Sequence, residues 1–469
     1  MNEQQIRQLR PMLVGYLKRF ADCYRRKDTR AHLQVYVEGQ LSNLERKSVE
    51  PIAKAAGVAP RTLQEFLSLL QWDEDRARDR LQTIVATEHA SLHAVGIVDE
   101  TSFAKQGTKT PGVQRQWCNA RGKKDNCIVT VHLGYAADDF HCLLDGELYL
   151  PASWAADRER CQEAAIPETL GYRPKWQIAL ELYDRARRQG VELAWMTFDE
   201  GYGSKPGFLR GLRTRNQPFV GEVPRSLTGW LQPPPVTTRP YRKHRRGRGR
   251  KTPRIRSGSP PARRVDDLLR RAPALRQQPW KPYRLRDGTQ GPMVWEAKQV
   301  LFSMADEEGL PAPEPWHLLI ARNVLAPQEV KYFVGDAPPK TPVGTLLRVG
   351  FSRWPIERAF EDQKSELGLD HYEGRRYPGL KRHLILSAIS HLFLARVRLV
   401  QGEKSRRTDR PPDPYGDPGP GPLLVAETPR SCQAHRTTGQ GPPSHPGRQC
   451  QSPPSPPQEH AAETTGFGR

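Results

Sequence analysis

The sequence predicts a mixed α/β fold in which a helical N-terminal domain precedes a core of strands and helices that is interrupted by a β-rich insertion. Three observations predict it. Residues 1–90 carry apolar side chains at helical spacing and contain no strand-like run. From Ala94 the pattern changes to short apolar runs, two of which end in a carboxylate. After Pro224 a Pro-rich and basic stretch gives way to further strands before two closing helices.

Within residues 1–90, Leu9, Met12, Leu13, Tyr16 and Leu17 recur at helical spacing. Residues 51–67 have the form of a helix-turn-helix. Ala53 is small enough for two helices to approach, Gly57 turns the chain, and Pro60 opens the second helix. That helix turns Arg61, Thr62 and Gln64 outward, either to read DNA or as the surface of a structural hairpin.

Residues 91–223 read as the first part of the core. Strands are expected at 94–99, 127–135 and 142–150, then a helix at 174–188 with Trp176, Ala179, Leu180, Tyr183 and Ala186 on one face. A strand at 192–199, a helix near 208–212 and a strand at 219–223 follow. Three strands, helix, strand, helix, strand is the order used by the RNase H-like fold, in which acidic residues at neighbouring strand ends converge.

Residues 224–340 form the expected insertion, with a basic run at 239–256 and strands at 294–302, 316–321 and 330–334. Trp230, Trp280, Trp295 and Trp316 in it are read mainly as core residues, with stacking on a displaced base as the alternative. Residues 341–401 return to helix. In the stretch 350–370, Ser352 can cap, Pro355 falls in the first turn, and Ile356, Phe360, Gln363 and Leu367 share a buried side. Arg353, Glu357, Glu361 and Lys364 make a second, charged stripe beside it. A last apolar helix is expected at 380–400, and residues 402–469, rich in Pro, Gly, Ser and Gln, read as a disordered tail.

With 73 Lys and Arg against 52 Asp and Glu, the net charge of +21 suits a polyanionic partner better than a small-molecule substrate. The seven cysteines are scattered and never spaced C-x-x-C, which argues against a disulfide framework and a structural zinc. No apolar run is read as approaching the ~20 residues of a membrane span, and the N-terminus lacks a signal-peptide pattern. A soluble intracellular protein without a membrane partner is the expectation.

Asp99 and Asp199 at strand ends and Glu357 on the helix are the carboxylates that matter. Hard oxygen ligands able to flank two Mg²⁺ ions ~3.5–4 Å apart are what phosphodiester chemistry requires.

Arg353, Glu357 and Lys364, spaced by three and six residues and followed by Leu-Gly-Leu, are similar to the Arg, Glu and Lys of the YREK signature of bacterial insertion-sequence transposases. The signature's tyrosine falls on Gly350. Val98-Asp-Glu-Thr-Ser-Phe-Ala-Lys-Gln-Gly107, with Gly112-Val-Gln-Arg-Gln116, resembles the first-Asp block of DDE transposases, and Leu148-Tyr-Leu-Pro-x-Ser-Trp154 and Phe198-Asp-Glu-Gly-Tyr-Gly203 extend the likeness. The resemblance implies Asp99, Asp199 and Glu357 as catalytic and metal-binding residues, with two Mg²⁺ ions that Mn²⁺ can replace. It implies Arg353 and Lys364 as phosphate contacts, to which Lys105, Lys109 and Arg115 in the connection after the first strand are added; Glu100 and Glu200 are read as secondary hydrogen-bonding partners. The implied function is a transposase that binds the terminal inverted repeats of its element and target DNA, acting as at least a dimer on DNA in the bacterial cytoplasm and nucleoid. A nuclease of the same fold that cuts without joining, and a non-catalytic repressor derived from a transposase, are the alternatives.

Overall fold

The computed structural model describes residues 3–238, 252–288 and 291–408. Residues 239–251 of the basic run and 409–469 of the tail therefore lie outside the described residues. By their contacts residues 1–399 form one unit and 400–469 a second.

The N-terminal residues fold as α1 (Glu3–Leu17), a 3-10 segment (Lys18–Cys23), α2 (Lys27–Leu41), α3 (Val49–Ala55), α4 (Pro60–Ser68) and α5 (Glu74–Glu88). Gly57, at φ +67°, makes the turn between α3 and α4 that a side chain would strain. Pro60 opens α4 at a position where its missing N–H costs nothing. Asp73 caps α5 by accepting from the Arg76 amide at 2.8 Å. Phe66 and Trp72 stack at the centre of these helices, both buried.

From Val95 the chain builds β1 (Val95–Ala104), β2 (Gln114–Cys118), β3 (Lys123–Ala137) and β4 (Phe140–Leu148). Helices α6 (Ala152–Ala156), α7 (Arg158–Glu163) and α8 (Lys175–Arg188) lead to β5 (Trp195–Phe198), α9 (Glu200–Gly203), α10 (Pro206–Thr214) and β6 (Phe219–Val223). Strand β1 is longer than its apolar run. It pairs antiparallel with β3 from Val95↔Ala136 to Ala104↔Cys127, so Asp99 lies in mid-strand and not at a strand end. What ends beside it is the parallel ladder to β5, which runs only from Val95↔Trp195 to Val98↔Phe198.

The next segment contributes β7 (Thr228–Trp230), β8 (Val236–Thr237), β9 (Arg254–Ile255), β10 (Arg263–Arg264), α11 (Val265–Arg271), α12 (Pro273–Arg276), β11 (Lys281–Gly288), β12 (Gly291–Met304), β13 (Trp316–Asn323) and β14 (Val330–Asp336). Among the described residues only β8 and β9 stand apart as a pair. The others continue the core sheet, because β14 pairs antiparallel with the outer edge of β6. One twelve-stranded mixed sheet results, in the order β10-β7-β12-β13-β14-β6-β5-β1-β3-β2, with β11 on β12 and β4 on β3. Trp230, Trp295 and Trp316 are buried in it.

Within 350–370 the expected helix is α14 (Trp354–Ser365), with Pro355 in its first turn, and α13 (Val343–Gly350) precedes it. Ser352 does not cap α14. Its hydroxyl donates to the Val349 carbonyl at 2.7 Å and finishes α13, which leaves Arg353 at the N-terminal boundary of α14. Ile356, Phe360, Gln363 and Leu367 are buried, as their spacing required. The final helix α15 (Tyr377–Thr408) continues past Val400, where the sequence pattern loses its apolar residues. Contrary to the sequence reading, its portion Tyr377–Gln401 is long and apolar enough to cross a membrane by length and composition, but most of it is buried within the protein. Tyr36 and Gln40 of α2 hold it through hydrogen bonds of 2.8 Å to His383 and Ser387, so it serves as the core helix that the N-terminal helices pack around.

Candidate active site

Parallel pairing sets the geometry. Because β1 and β5 are in register to Val98↔Phe198, the next residues, Asp99 and Asp199, follow side by side where the two strands part. Asp99 Oδ1 accepts from the Glu100 amide at 2.7 Å, and its Oδ2 accepts from a guanidinium nitrogen of Arg353 at 2.8 Å. A second nitrogen of Arg353 is 3.1 Å from Glu357 Oε1, one turn along α14. Asp199 begins α9, its Oδ1 accepting from the Tyr202 amide at 3.2 Å. Three carboxylates from distant parts of the chain thus surround one arginine.

Burial pushes the Asp99 carboxyl up to about 7; the neighbouring Asp199 adds to the rise and Arg353 opposes it. Burial alone would lower the Arg353 guanidinium, but Asp99, Asp199, Glu357 and Glu222 outweigh that and hold it above its ordinary value.

Several residues of this site escaped the sequence reading. Glu222 lies on β6, which runs parallel to β5 from the pair Met196↔Phe219, so it falls at the level of Asp199 on the next strand. Lys331 of β14 grips both its carboxylate oxygens at 2.9 and 3.0 Å. A lone charge inside the apolar run 219–223 was the available signal. Trp354, beside Arg353, is 45% exposed, and the Arg286 guanidinium stands 5.2 Å from its ring centre. Glu100 pairs with Lys175 at 2.8 Å. Burial and then Glu222 and Asp199 raise the Glu200 carboxyl.

The candidate phosphate contacts divide. Lys364 is half-buried, its ammonium 3.5 Å from the Ser102 carbonyl three residues along β1 from Asp99, and burial lowers its pKa. Lys105, read as a phosphate contact in a loop, follows directly on β1 and donates to the carbonyls of Asp370 and Tyr372 at 3.1 and 2.5 Å. Burial pulls it down to about 8. It ties the turn after α14 to the core. Lys109 is exposed and paired with Glu163 at 2.5 Å, and Arg115 is exposed on β2, a strand where a loop was expected. On α4, Arg61 and Gln64 face solvent and Thr62 is half-buried; Arg61 is paired with Glu65 at 2.8 Å. These three lie on one of the N-terminal helices, apart in sequence from the carboxylates. Gly350, at the signature's tyrosine position, is closely packed: a Cβ there would lie 3.0 Å from the Phe333 ring, which would have to give way.

Among the described residues no group of three or more His, Cys, Asp or Glu side chains is gathered closely enough to hold a metal ion. Arg353 lies between Asp99 and Glu357 instead. The donors nevertheless fit a hard divalent cation in kind, since all are carboxylate oxygens.

The family model described as DDE superfamily endonuclease matches residues 19–292, more than half of the chain. A protein of Microchaete diplosiphon named as a probable transposase for insertion sequence element IS701 is 26% identical over 357 residues, covering 73% of this chain and 76% of that protein. Among solved structures, the NurA nuclease from Sulfolobus solfataricus is 10% identical with a TM-score of 0.23, covering 68% of this chain and 86% of its own. The Mos1 mariner paired end complex with Mn is 15% identical with a TM-score of 0.15, covering 42% of this chain and 59% of its own. Both structural likenesses are too distant to define the fold.

Proposed function

Since this chain belongs to the DDE superfamily endonucleases, we propose that it is a transposase that cleaves the terminal inverted repeats of an insertion sequence and joins them to target DNA. The observation that carries this reading is the meeting of Asp99 and Asp199 on adjacent parallel strands with Arg353 and Glu357 of a helix far along the chain. An RNase H-like core is supported by the strand order β4-β3-β1-β5-β6, with β3 antiparallel to β1, β4 antiparallel to β3, and β5 and β6 parallel to β1.

Asp99, Asp199 and Glu357 would hold divalent cations, Mg²⁺ or Mn²⁺, which when bound activate a water or 3′-hydroxyl and steady the leaving oxygen. Arg353 and Lys364 flank Glu357 and bind phosphates of the DNA, with Arg115 and the exposed basic residues adding contacts that depend on salt. The helix α4 reads the repeat through Arg61, Thr62 and Gln64. Two chains act together on paired ends, in the bacterial cytoplasm.

The test uses the purified chain, a labelled terminal-repeat duplex, a target plasmid and Mg²⁺. Cleavage at the element end and joined products, both lost in Asp199→Asn, are expected. Cleavage without joining reduces the protein to a nuclease. Binding of the duplex with no cleavage under any divalent cation removes the catalytic reading and leaves a repressor. In the same duplex binding, affinity should fall steeply with salt, given a net charge of +21, and Ser replacements of the arginines at 239–256 should flatten the slope.

A further inference from the structure

The sheet's ladders set four charged residues in one row across neighbouring strands. Asp99 and Asp199 follow the last β1–β5 pair, Val98↔Phe198. Glu222 of β6 stands level with Asp199, each three residues beyond the pair Met196↔Phe219. Phe333 of β14 is directly opposite Glu222, so Lys331, two residues away, shares its face and meets it diagonally. That face is the one on which Val220, Ala321 and Phe333 pack with Leu346 and Leu347 of α13. Neighbouring strands lie ~4.8 Å apart, so the row from β1 over β5 and β6 to β14 spans ~14 Å. Of its four charges Lys331 alone is positive.

Lys331 is held loosely. Its ammonium donates to both Glu222 oxygens, at 2.9 and 3.0 Å, which occupies two of its three N–H groups and leaves the third for an outside acceptor. The two side chains are 32% and 21% exposed. An ion pair this open to water contributes at most about 1 kcal/mol, so a phosphate can share the lysine at little expense to the fold. Without the lysine, Glu222 would add a third negative charge in line with Asp99 and Asp199 against an approaching phosphate chain.

We propose that Lys331 is a further DNA-contacting residue, which takes a backbone phosphate within about four nucleotides of the scissile one, the number that fits ~14 Å at a rise of ~3.4 Å per nucleotide. This rests on the DNA reading above and deepens it. The strand that is cut crosses the sheet from β1 toward β14, over the ends at which β5 and β6 finish. Lys331 marks the far side of that path, and Arg353 and Lys364 mark the near side.

Binding of a labelled terminal-repeat duplex to the full-length protein is measured in EDTA over a range of NaCl concentrations. Lys331→Met keeps the stem and removes the charge. It should fold as the wild type does, bind about 10-fold more weakly, and flatten the log–log salt slope by about 1. The same variant also leaves Glu222 uncompensated, so the double variant Glu222→Gln/Lys331→Met is compared with it. A loss that persists in the double variant is a lost phosphate contact, whereas affinity restored to the wild-type level overturns the proposal. Duplexes carrying one neutral methylphosphonate each locate the contact: one position within about four nucleotides of the cut should weaken the wild type and cost Lys331→Met nothing further. Equal losses in both proteins at every position overturn the proposal as well. A steep wild-type slope that Lys331→Met leaves unchanged removes the Lys331 role alone, whereas a wild type that does not bind the duplex removes the DNA reading and the proposal together.

Discussion

Arg353 donates to Asp99 at 2.8 Å across 254 residues of chain, joining the first turn of a helix to the middle of a strand. The two side chains are 26% and 12% exposed, so the pair is largely shielded from water. The carboxyl of Asp99 is raised to about 7, which means its protonated form is favoured in the fold. Stability from that proton is present at low pH and is lost as pH rises through about 7, where Arg353 begins to matter as a charge partner. Arg353→Gln should therefore cost about 2 kcal/mol at pH 8 and much less at pH 5, measured by urea unfolding in EDTA. An equal loss at both values would mean that the arginine acts through packing and not through Asp99.

Lys105 offers a sharper separation of folding from binding. Its ammonium serves the carbonyls of Asp370 and Tyr372, whereas Arg115 is exposed on β2. Lys105→Met should lower stability by about 1–2 kcal/mol, because two carbonyls lose their donor, and should leave duplex affinity near wild type. Arg115→Ala should do the reverse, weakening the duplex without moving the unfolding midpoint. Should Lys105→Met keep its stability and lose affinity, the lysine leaves the core to meet phosphate.

What could be read in advance follows from how local the cause is. The buried side of α14 was legible because Ile356, Phe360, Gln363 and Leu367 repeat at helical spacing, and that spacing alone decides which side is buried. The start of α14 just after Ser352 was legible too, but the task of Ser352 was not: its hydroxyl donates to the Val349 carbonyl and finishes α13 where a cap of α14 was expected. Asp99 was found but misplaced at a strand end, since the continuation of β1 depends on β3, a partner distant in sequence. Glu222 was passed over for the same kind of reason: its lone charge in the apolar run 219–223 was visible, but its partners were not. Nothing near residue 222 says that Asp199 stands on the neighbouring strand or that Lys331 will meet it. The joining of β14 to β6, which turns an apparent insertion into more of one sheet, is again a matter of strand edges meeting and leaves no mark in composition.

His383 makes the fold sensitive to acid. It is buried, with Nδ1 2.8 Å from the Tyr36 hydroxyl and Nε2 2.9 Å from the Leu369 carbonyl, so the neutral ring donates from Nε2 and accepts at Nδ1. Burial chiefly holds its pKa down to about 4, against about 6.5 in the unfolded chain. A depressed histidine contributes stability that is fully present above about 6.5 and is lost as pH falls toward about 4. Between pH 6.5 and 5 the loss assigned to this ring is about 2 kcal/mol. His383→Gln should start less stable at pH 7 and fall less steeply on acidification, followed by urea midpoints at half-unit steps. Parallel curves for variant and wild type would place the acid sensitivity elsewhere.

Glu357 and Glu361 lie one turn apart on α14, and either could be the carboxylate that completes the site with Asp99 and Asp199. Their partners separate them. Glu357 is held by Arg353 at 3.1 Å, the same arginine that binds Asp99, and so it belongs to the cluster already. Glu361 is exposed and pairs with Arg358 at 3.1 Å, a neighbour outside that cluster. A helix turns 100° per residue, so the four-residue step to Glu361 carries it about 40° around and ~6 Å along the axis from Glu357. Glu357→Gln keeps the size and removes the charge. It should lower single-turnover nicking of a labelled end duplex by at least about 10²-fold while duplex binding persists. Glu361→Gln should retain most of the rate, since it loses only a surface ion pair. If Glu361→Gln is the dead variant and Glu357→Gln still cuts, the catalytic carboxylate sits one turn further along α14, and Arg353 would then be bridging two groups of which only Asp99 takes part in the chemistry.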